Sequence, residues 1–261
     1  MTQVPISVTI ITLNEESNLP RTLNSVKWAD EVIVIDSGST DRTVEIAKKS
    51  GAKVLHNSWR GYGQQKNFAQ DQTTHNWVLN IDADEVVSAE LAQEIRTTVF
   101  ESEQNNGARG FYFPRKTFYI GRWIQHGGWY PNYLVRLADK RAARWSEPNV
   151  HEELKVEGAL AYMTEPLLHY AFSSIQDQIL TNLRFSHLGS QDLKRIGQRP
   201  SLRKLLFKPI GKFFETYLIK GGFRDGLAGL IISVNAAHSM FLKYAYLLES
   251  QITQPSEDSA K

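Results

Sequence analysis

The chain has 261 residues, 41% of them hydrophobic and 22% charged, with a net charge of +2. That length holds one large domain or a core domain with an appendage, the composition is that of a folded chain, and the near-neutral balance gives no overall field for nucleic acid. The absence of cysteine excludes disulfides, thiolate metal sites and a cysteine nucleophile, and fits a reducing compartment.

The opening MTQVPISVTIITLNEE has no basic leader and no small-residue cleavage site, and its apolar run meets Asn14, Glu15 and Glu16 at once. It reads as a buried strand rather than a signal peptide, so a cytoplasmic protein is expected. Within it, ISVTIIT (6–12) is β-branched and continuous, as in a strand covered on both faces. Leu19, Leu23 and Val26 then recur at a helical spacing. EVIVID (31–36) predicts a second strand, and STDRTVEIAKKSG a capped helix ending at Gly51. AKVLH (52–56) predicts a third strand, QQKNFAQDQ a helix, WVLNID (77–82) a fourth strand, and SAELAQEIRTTVFES another capped helix. This alternation predicts a parallel, doubly wound α/β sheet.

Ligands of such sheets lie beyond the carboxyl ends of the strands. Acids and small hydroxyls collect there: Thr12 to Glu16 after the first strand, Asp36 to Asp41 after the second, and Asp82, Asp84 and Glu85 after the fourth. Carboxylates this close repel one another unless a cation lies between them or water screens them. No G-x-G-x-x-G follows the first strand and no G-x-x-x-x-G-K-[ST] occurs, which argues against a dinucleotide fold or a P-loop enzyme. Alternation turns the two side chains of an Asp-x-Asp the same way, and with phosphate oxygens such a pair suits Mg²⁺ or Mn²⁺. The alternative is a solvated loop whose acids complement the next helix dipole. The convergence of three strand ends favours the metal.

Four segments in this order, VTIITLNEESNLPRTLNSV, VIVIDSGSTDRTVEIA, GYGQQKNFA and VLNIDADE, resemble the family-2 glycosyltransferases of the GT-A fold. The resemblance covers about residues 5 to 155 and is nearest to the bacterial β-1,4-glucosyltransferases that add glucose to an inner-core heptose of lipopolysaccharide. It implies that Thr12, Leu13, Asn14 and Glu16 line a nucleotide pocket. It also implies that Asp36 accepts a hydrogen bond from uracil, that Lys66 and Asn67 lie near the base or phosphates, that Asp82 is close to the ribose, and that Asp84 holds a divalent cation against the diphosphate. Asp36 as a turn cap and Lys66 as a surface lysine are the structural alternatives.

From 110 to 160 the composition shifts to aromatics, Gly and Arg, which predicts short strands and loops rather than another βα unit. Trp123, Trp129 and Tyr130 are candidate sugar contacts, with a core role as the default for any one aromatic. Arg136 either contacts phosphate or forms a structural ion pair. Inverting displacement at an anomeric carbon needs a carboxylate to take the acceptor hydroxyl proton, whereas a metal can stabilise the departing diphosphate without a protein acid. The second acid cluster, VHEE (150–153), supplies that base, and related enzymes carry a similar segment here. Glu152 is assigned the role with Glu153 as runner-up, and His151 is a candidate metal contact or phosphate donor.

Between Arg195 and Arg224 lie eight basic residues and a single acid, Glu215, interleaved with Leu202, Leu205, Leu206, Phe207, Ile210, Phe213, Phe214, Tyr217 and Leu218 at helical spacings. A basic amphipathic stretch is expected on an anionic membrane surface. A helix packed on its own domain and an RNA-binding surface are the alternatives, the latter without any recognisable module. GLAGLIISVNAAHSMFLKYAYLL (226–248) is nearly long enough to cross a bilayer, but Asn235, His238 and Lys243 interrupt it; it reads as a packed or membrane-surface helix, not a span. The expected organisation is therefore a GT-A-type, mostly parallel catalytic domain (1–165), a basic helical extension (166–250) and a flexible tail (251–261). The expected activity is metal-dependent, inverting transfer of a hexose, taken as glucose, from a UDP-sugar to a lipid-linked saccharide on the inner face of the cytoplasmic membrane, with no nucleic-acid partner. Transfer to polyprenyl phosphate and non-catalytic nucleotide-sugar binding are the alternatives.

Overall fold

Apolar residues at alternate positions on both faces of four short runs build the centre of the molecule. In chain order the elements are β1 (Ile6–Thr12), α1 (Leu19–Ser25), β2 (Glu31–Asp36), α2 (Thr43–Lys49), β3 (Lys53–His56), α3 (Tyr62–Asp71), β4 (Trp77–Asp82), β5 (Glu85–Val86) and α4 (Ala89–Asn105). There follow β6 (Gly110–Tyr119), β7 (Arg122–Trp123), β8 (Asn132–Asp139), β9 (Ala143–Trp145), β10 (Leu154–Val156), β11 (Leu160–Tyr162), β12 (Leu167–His169), α5 (Ile175–Arg195), α6 (Leu202–Phe214) and α7 (Gly226–Ile252). The computed structural model describes residues 4–146 and 152–252. They divide into two units, residues 4–117 with 131–171 and residues 118–130 with 172–252. The first unit thus runs on past the boundary expected at 165, and the second takes in 118–130. Of the expected tail, Gln251 and Ile252 close α7, and residues 253–261 lie outside the described residues.

The sheet of the first unit has the order β3-β2-β1-β4-β8-β6-β12-β5. Strands β1 to β4 are mutually parallel, β8 runs antiparallel to both neighbours, and β12 is parallel to β6. On one face Ile6, Val8, Ile10, Leu79 and Ile81 form the main core with Leu19 and Leu23 of α1 and Leu91, Ile95 and Val99 of α4. On the other, Ile33 and Ile35 pack on Ala69 of α3. Buried polar residues on β1 find cross-strand partners: the Thr9 hydroxyl donates to Asn80 Oδ1 at 2.8 Å. Short strands were expected after residue 110, and β7, β9, β10 and β11 have two or three residues each. β6 and β8 differ: they are long and enter the central sheet, because Phe111 and Phe113 alternate into the main core with Leu137 opposite.

In the second unit Tyr119, Ile124, Ala228 and Ile232 make a small core. Gln178 of α5 organises it: its Oε1 accepts hydrogen bonds from the Tyr119 hydroxyl and from Asn235 Nδ2 of α7. Gly229 lets α7 approach the turn at Gly222, whose carbonyl oxygen would lie 1.8 Å from any added Cβ. With the turn before it, α7 is long and apolar enough to cross a membrane by length and composition, although Ala228, Ile232, Ser233 and Asn235 are buried within the unit. By contrast α6 buries none of its residues.

Candidate active site

The loops after β1 and β2 are stapled by side chains, which fixes the rim of the sheet. Asn14 takes a left-handed conformation, φ 57°. Its N–H donates to Ser39 Oγ at 2.9 Å and its Oδ1 accepts from the Thr40 N–H at 2.8 Å. Asp36, buried at the end of β2, accepts from the Gly38 and Ser39 N–H groups at 2.9 and 3.0 Å and from Ser39 Oγ at 2.5 Å. It therefore caps its own turn while standing at the rim, and Thr12 Oγ1 lies 3.4 Å from its carboxylate. Leu13 is exposed beside them. The two glutamates that follow diverge. Glu16 accepts from the Arg42 N–H and Nε at 3.1 and 3.3 Å, a contact that joins the loops. Glu15 lies among the acids: burial first, and then the charges of Asp84, Asp41 and Asp82, push its carboxyl above the ordinary range against the opposing hydrogen bond from Asn18.

The crowded acids beyond β4 are resolved chiefly by an arginine. Arg136 Nη2, projecting from β8, donates to Asp82 Oδ2 at 2.6 Å and to Glu85 Oε1 at 2.7 Å. Glu85 is fully buried, and its other oxygen accepts the Asp82 N–H at 2.9 Å. Burial would raise the Asp82 carboxyl, but the charges of Arg136 and Lys66 and the Arg136 hydrogen bond overcome it and hold the group well below the usual carboxylate range. Arg136 thus takes the structural ion pair of its two expected roles. Asp84 is left facing a different partner, His169 at the end of β12, with Oδ2 3.3 Å from Nε2. Thr117 Oγ1 makes a long contact with the other ring nitrogen at 3.4 Å.

The Asp84 carboxylate would suit Mg²⁺ or Mn²⁺, which need only one or two protein carboxylates when phosphate and water supply the rest, and His169 would add an imidazole, a softer donor than those ions prefer. The negative surroundings that raise Glu15 favour a cation at the same place. Among the described residues no group of three or more metal-type side chains occurs. His151 lies outside the described residues. His169 and Glu15 were not singled out in the sequence. His169 is remote from the acid cluster along the chain, and Glu15 differs from its neighbour only in which way the loop turns it.

Lys66, on α3, is buried and joins the rim to the candidate base. Its Nζ lies 2.9 Å from Glu152 Oε1 and 3.4 Å from Asp82 Oδ1, and 4.5 Å from the centre of the Trp145 ring. The surface-lysine alternative is therefore excluded. Glu152 is half-buried on the wall of a cavity of about 270 Å³; Glu153 is exposed, and its N–H donates to Ser146 Oγ at 2.8 Å. Asn67 supports this wall: its amide bonds both the carbonyl and the N–H of Trp145, at 3.0 and 2.9 Å, while Gln70 Nε2 donates to the Ala143 carbonyl at 2.7 Å. In the second unit Trp129 packs in the small core against Tyr119 and Phe172, Trp123 meets Phe118 edge-on, and Tyr130 is half-buried.

Comparison with known proteins adds four findings. The family model described as Glycosyl transferase family 2 matches residues 7–151. An uncharacterised glycosyltransferase of Rickettsia conorii is 36% identical over 95% of this chain and 91% of its own length. The lipopolysaccharide core biosynthesis glycosyltransferase LpsC of Rhizobium meliloti is 30% identical over 99% of this chain and 98% of its own. Among solved structures, glucosyl-3-phosphoglycerate synthase from Mycobacterium tuberculosis, in complex with Mn²⁺, UDP and glucosyl-3-phosphoglycerate, is 28% identical over 46% of this chain and 45% of that one, with a TM-score of 0.36.

Proposed function

Because the chain belongs to glycosyl transferase family 2, we propose that it transfers glucose, with inversion, from UDP-glucose to a heptose of a lipopolysaccharide inner core. The similarity to LpsC supports the acceptor class, and the four motifs after the strands support the uridine donor. One observation carries the reading: a single sheet rim holds a carboxylate poised beside a buried lysine, Glu152 with Lys66, and a separate carboxylate, Asp84, whose partner is a histidine instead of an arginine.

In this reading Thr12, Leu13, Asn14 and Asp36 form the rim against which the nucleoside lies, and Asp82 stands next to the ribose. Glu16 braces that rim through Arg42. Asp84, with His169 beside it, would hold a divalent cation, which would supply charge stabilisation for the departing diphosphate. Glu152 accepts the proton of the acceptor hydroxyl as that oxygen bonds to the anomeric carbon and the bond to the diphosphate breaks, the electron pair leaving with UDP. Lys66 orients Glu152 through the 2.9 Å contact. The exposed apolar face of α6, with Phe207 67% exposed among Arg203, Lys204 and Lys208, supports docking on the anionic inner leaflet where such acceptors are anchored. The length of α7 favours a second reading, a polyprenyl-phosphate acceptor.

UDP release tests both. UDP-glucose with deacylated lipopolysaccharide core is expected to give UDP only when Mg²⁺ or Mn²⁺ is present, and chelator should stop it. Release with polyprenyl phosphate but not with the core would replace the first reading by the second, and release with neither would overturn both.

A further inference from the structure

The cavity that Glu152 borders has a second set of features that general base chemistry does not use. Its volume is about 270 Å³. Both cations that line it are already matched: Lys66 by Glu152 and Asp82, and Arg136 by Asp82 and Glu85. The cavity is therefore not built to attract a phosphate. Sugar hydroxyls donate as well as accept, so a polyol can bond the Glu152 carboxylate.

Aromatic rings complete the pattern. Tyr112 of β6 and Tyr133 of β8 line the cavity, and both touch Tyr162 of β11. Tyr112 and Tyr162 stack at 4.9 Å with an interplanar angle of 20°, and Tyr133 meets Tyr162 edge-on at 5.1 Å. Tyr162 is 64% exposed and Tyr133 45%, although rings of this size are ordinarily more covered. All three are fixed by strands of one sheet, so the platform is preorganised. Pyranose rings present apolar C–H faces to such platforms and hydroxyls to neighbouring carboxylates.

We propose that this cavity is the acceptor-sugar subsite, that it takes the uncharged ring carrying the attacking hydroxyl, and that Tyr112 and Tyr133 form the platform for that ring, held in place by Tyr162, which packs on both. The inference rests on Glu152 as the base, because the group that takes the proton must touch the acceptor.

The test uses the full-length protein carrying Tyr133→Ala, Tyr162→Ala or both, with Tyr162→Phe as the conservative partner. In the alanine variants KM for deacylated lipopolysaccharide core is expected to rise about tenfold or more. KM for UDP-glucose and calorimetric binding of UDP should stay within about twofold of wild type, which also certifies the fold. Tyr162→Phe should restore the core KM. A core KM unchanged in the double variant overturns the proposal, and so does a rise confined to UDP-glucose, which would make the cavity a donor subsite. Saturation-transfer NMR with the core alone separates this inference from the catalytic reading. Should the wild type fail to turn over, loss of transfer to the core protons in the double variant still supports the subsite, and equal transfer in both proteins, or none in the wild type, refutes it.

Discussion

Asp84 and Glu152 carry the chemistry proposed here, and each has a neighbour in sequence that makes a sharp control. Glu152→Gln keeps an oxygen that can accept from Lys66 but removes the proton acceptor, so kcat should fall by about 10²-fold or more with donor binding intact. Glu153→Gln should keep most of its kcat, since that side chain is exposed and it is Glu152 that pairs with Lys66. Steady-state kinetics of the pair decide the assignment. Asp84→Asn and His169→Ala should each raise the Mn²⁺ concentration needed for half-maximal turnover, whereas Glu85, fully buried against Arg136, would announce itself through stability instead. The same contrast shows how much of the site the sequence reveals. Asp-x-Asp is visible as a motif, but β4 ends at Asp82 and Asp84 lies in the turn beyond. The two side chains therefore meet different partners, Arg136 and His169, instead of pointing the same way by alternation. That Arg136 is the cation between Asp82 and Glu85 depends on β8 pairing with β4, a contact more than fifty residues away in the chain. No local pattern encodes it.

At the scale of elements, β1, β2 and β4 were legible because a strand buried on both faces leaves a continuous β-branched run that ends where polar residues begin. β6 and β8 were not, since their aromatics, arginines and internal Pro114 resemble loop composition, and their burial comes from a sheet assembled by distant segments. The role of α3 was equally hidden. Asn67 and Gln70, one turn apart, face β9 and hold its backbone by three hydrogen bonds, so α3 positions the strand that leads towards Glu152. Asn67→Ala leaves a buried peptide group at Trp145 without partners and should cost about 1–3 kcal/mol in urea unfolding. Hydrogen exchange at residues 143–146 should accelerate in the same variant. Exchange left unchanged would mean that β10 alone secures this edge.

For the molecule as a whole, pH and surface charge make opposite demands on its charged groups. The Asp82 carboxyl is held low in the fold, so its contribution to stability is present above the unfolded value of about 4 and is lost as pH falls below it. Arg136→Met would remove the shorter of two ion pairs from each carboxylate, leaving Asp82 with Lys66 at 3.4 Å and Glu85 with Arg115 at 3.5 Å. The cost near neutrality should be up to about 3–5 kcal/mol. The loss of stability below about pH 4 that the depressed Asp82 carboxyl gives wild type should shrink in this variant, which denaturant titrations at several pH values would read directly. The chain's charge of +2 conceals a second asymmetry, the basic stretch from 195 to 224. Glu215 pairs with Lys212 and Lys220, at 3.2 and 2.6 Å, so the cations left for a partner are chiefly Arg199, Arg203, Lys204 and Lys208. Each basic residue near an anionic leaflet contributes about 1 kcal/mol, an attraction that decays over a screening length of about 8 Å at physiological salt. Apolar insertion from Leu206 and Phe207 adds a part that salt does not weaken. Vesicles containing phosphatidylglycerol should therefore sediment the protein, neutral vesicles far less. Arg203→Glu with Lys208→Glu should abolish the salt-sensitive part, and Phe207→Ser should weaken binding at every ionic strength. Equal recovery on anionic and neutral vesicles at low salt would remove the electrostatic role of α6 and return its basic face to plain solvation.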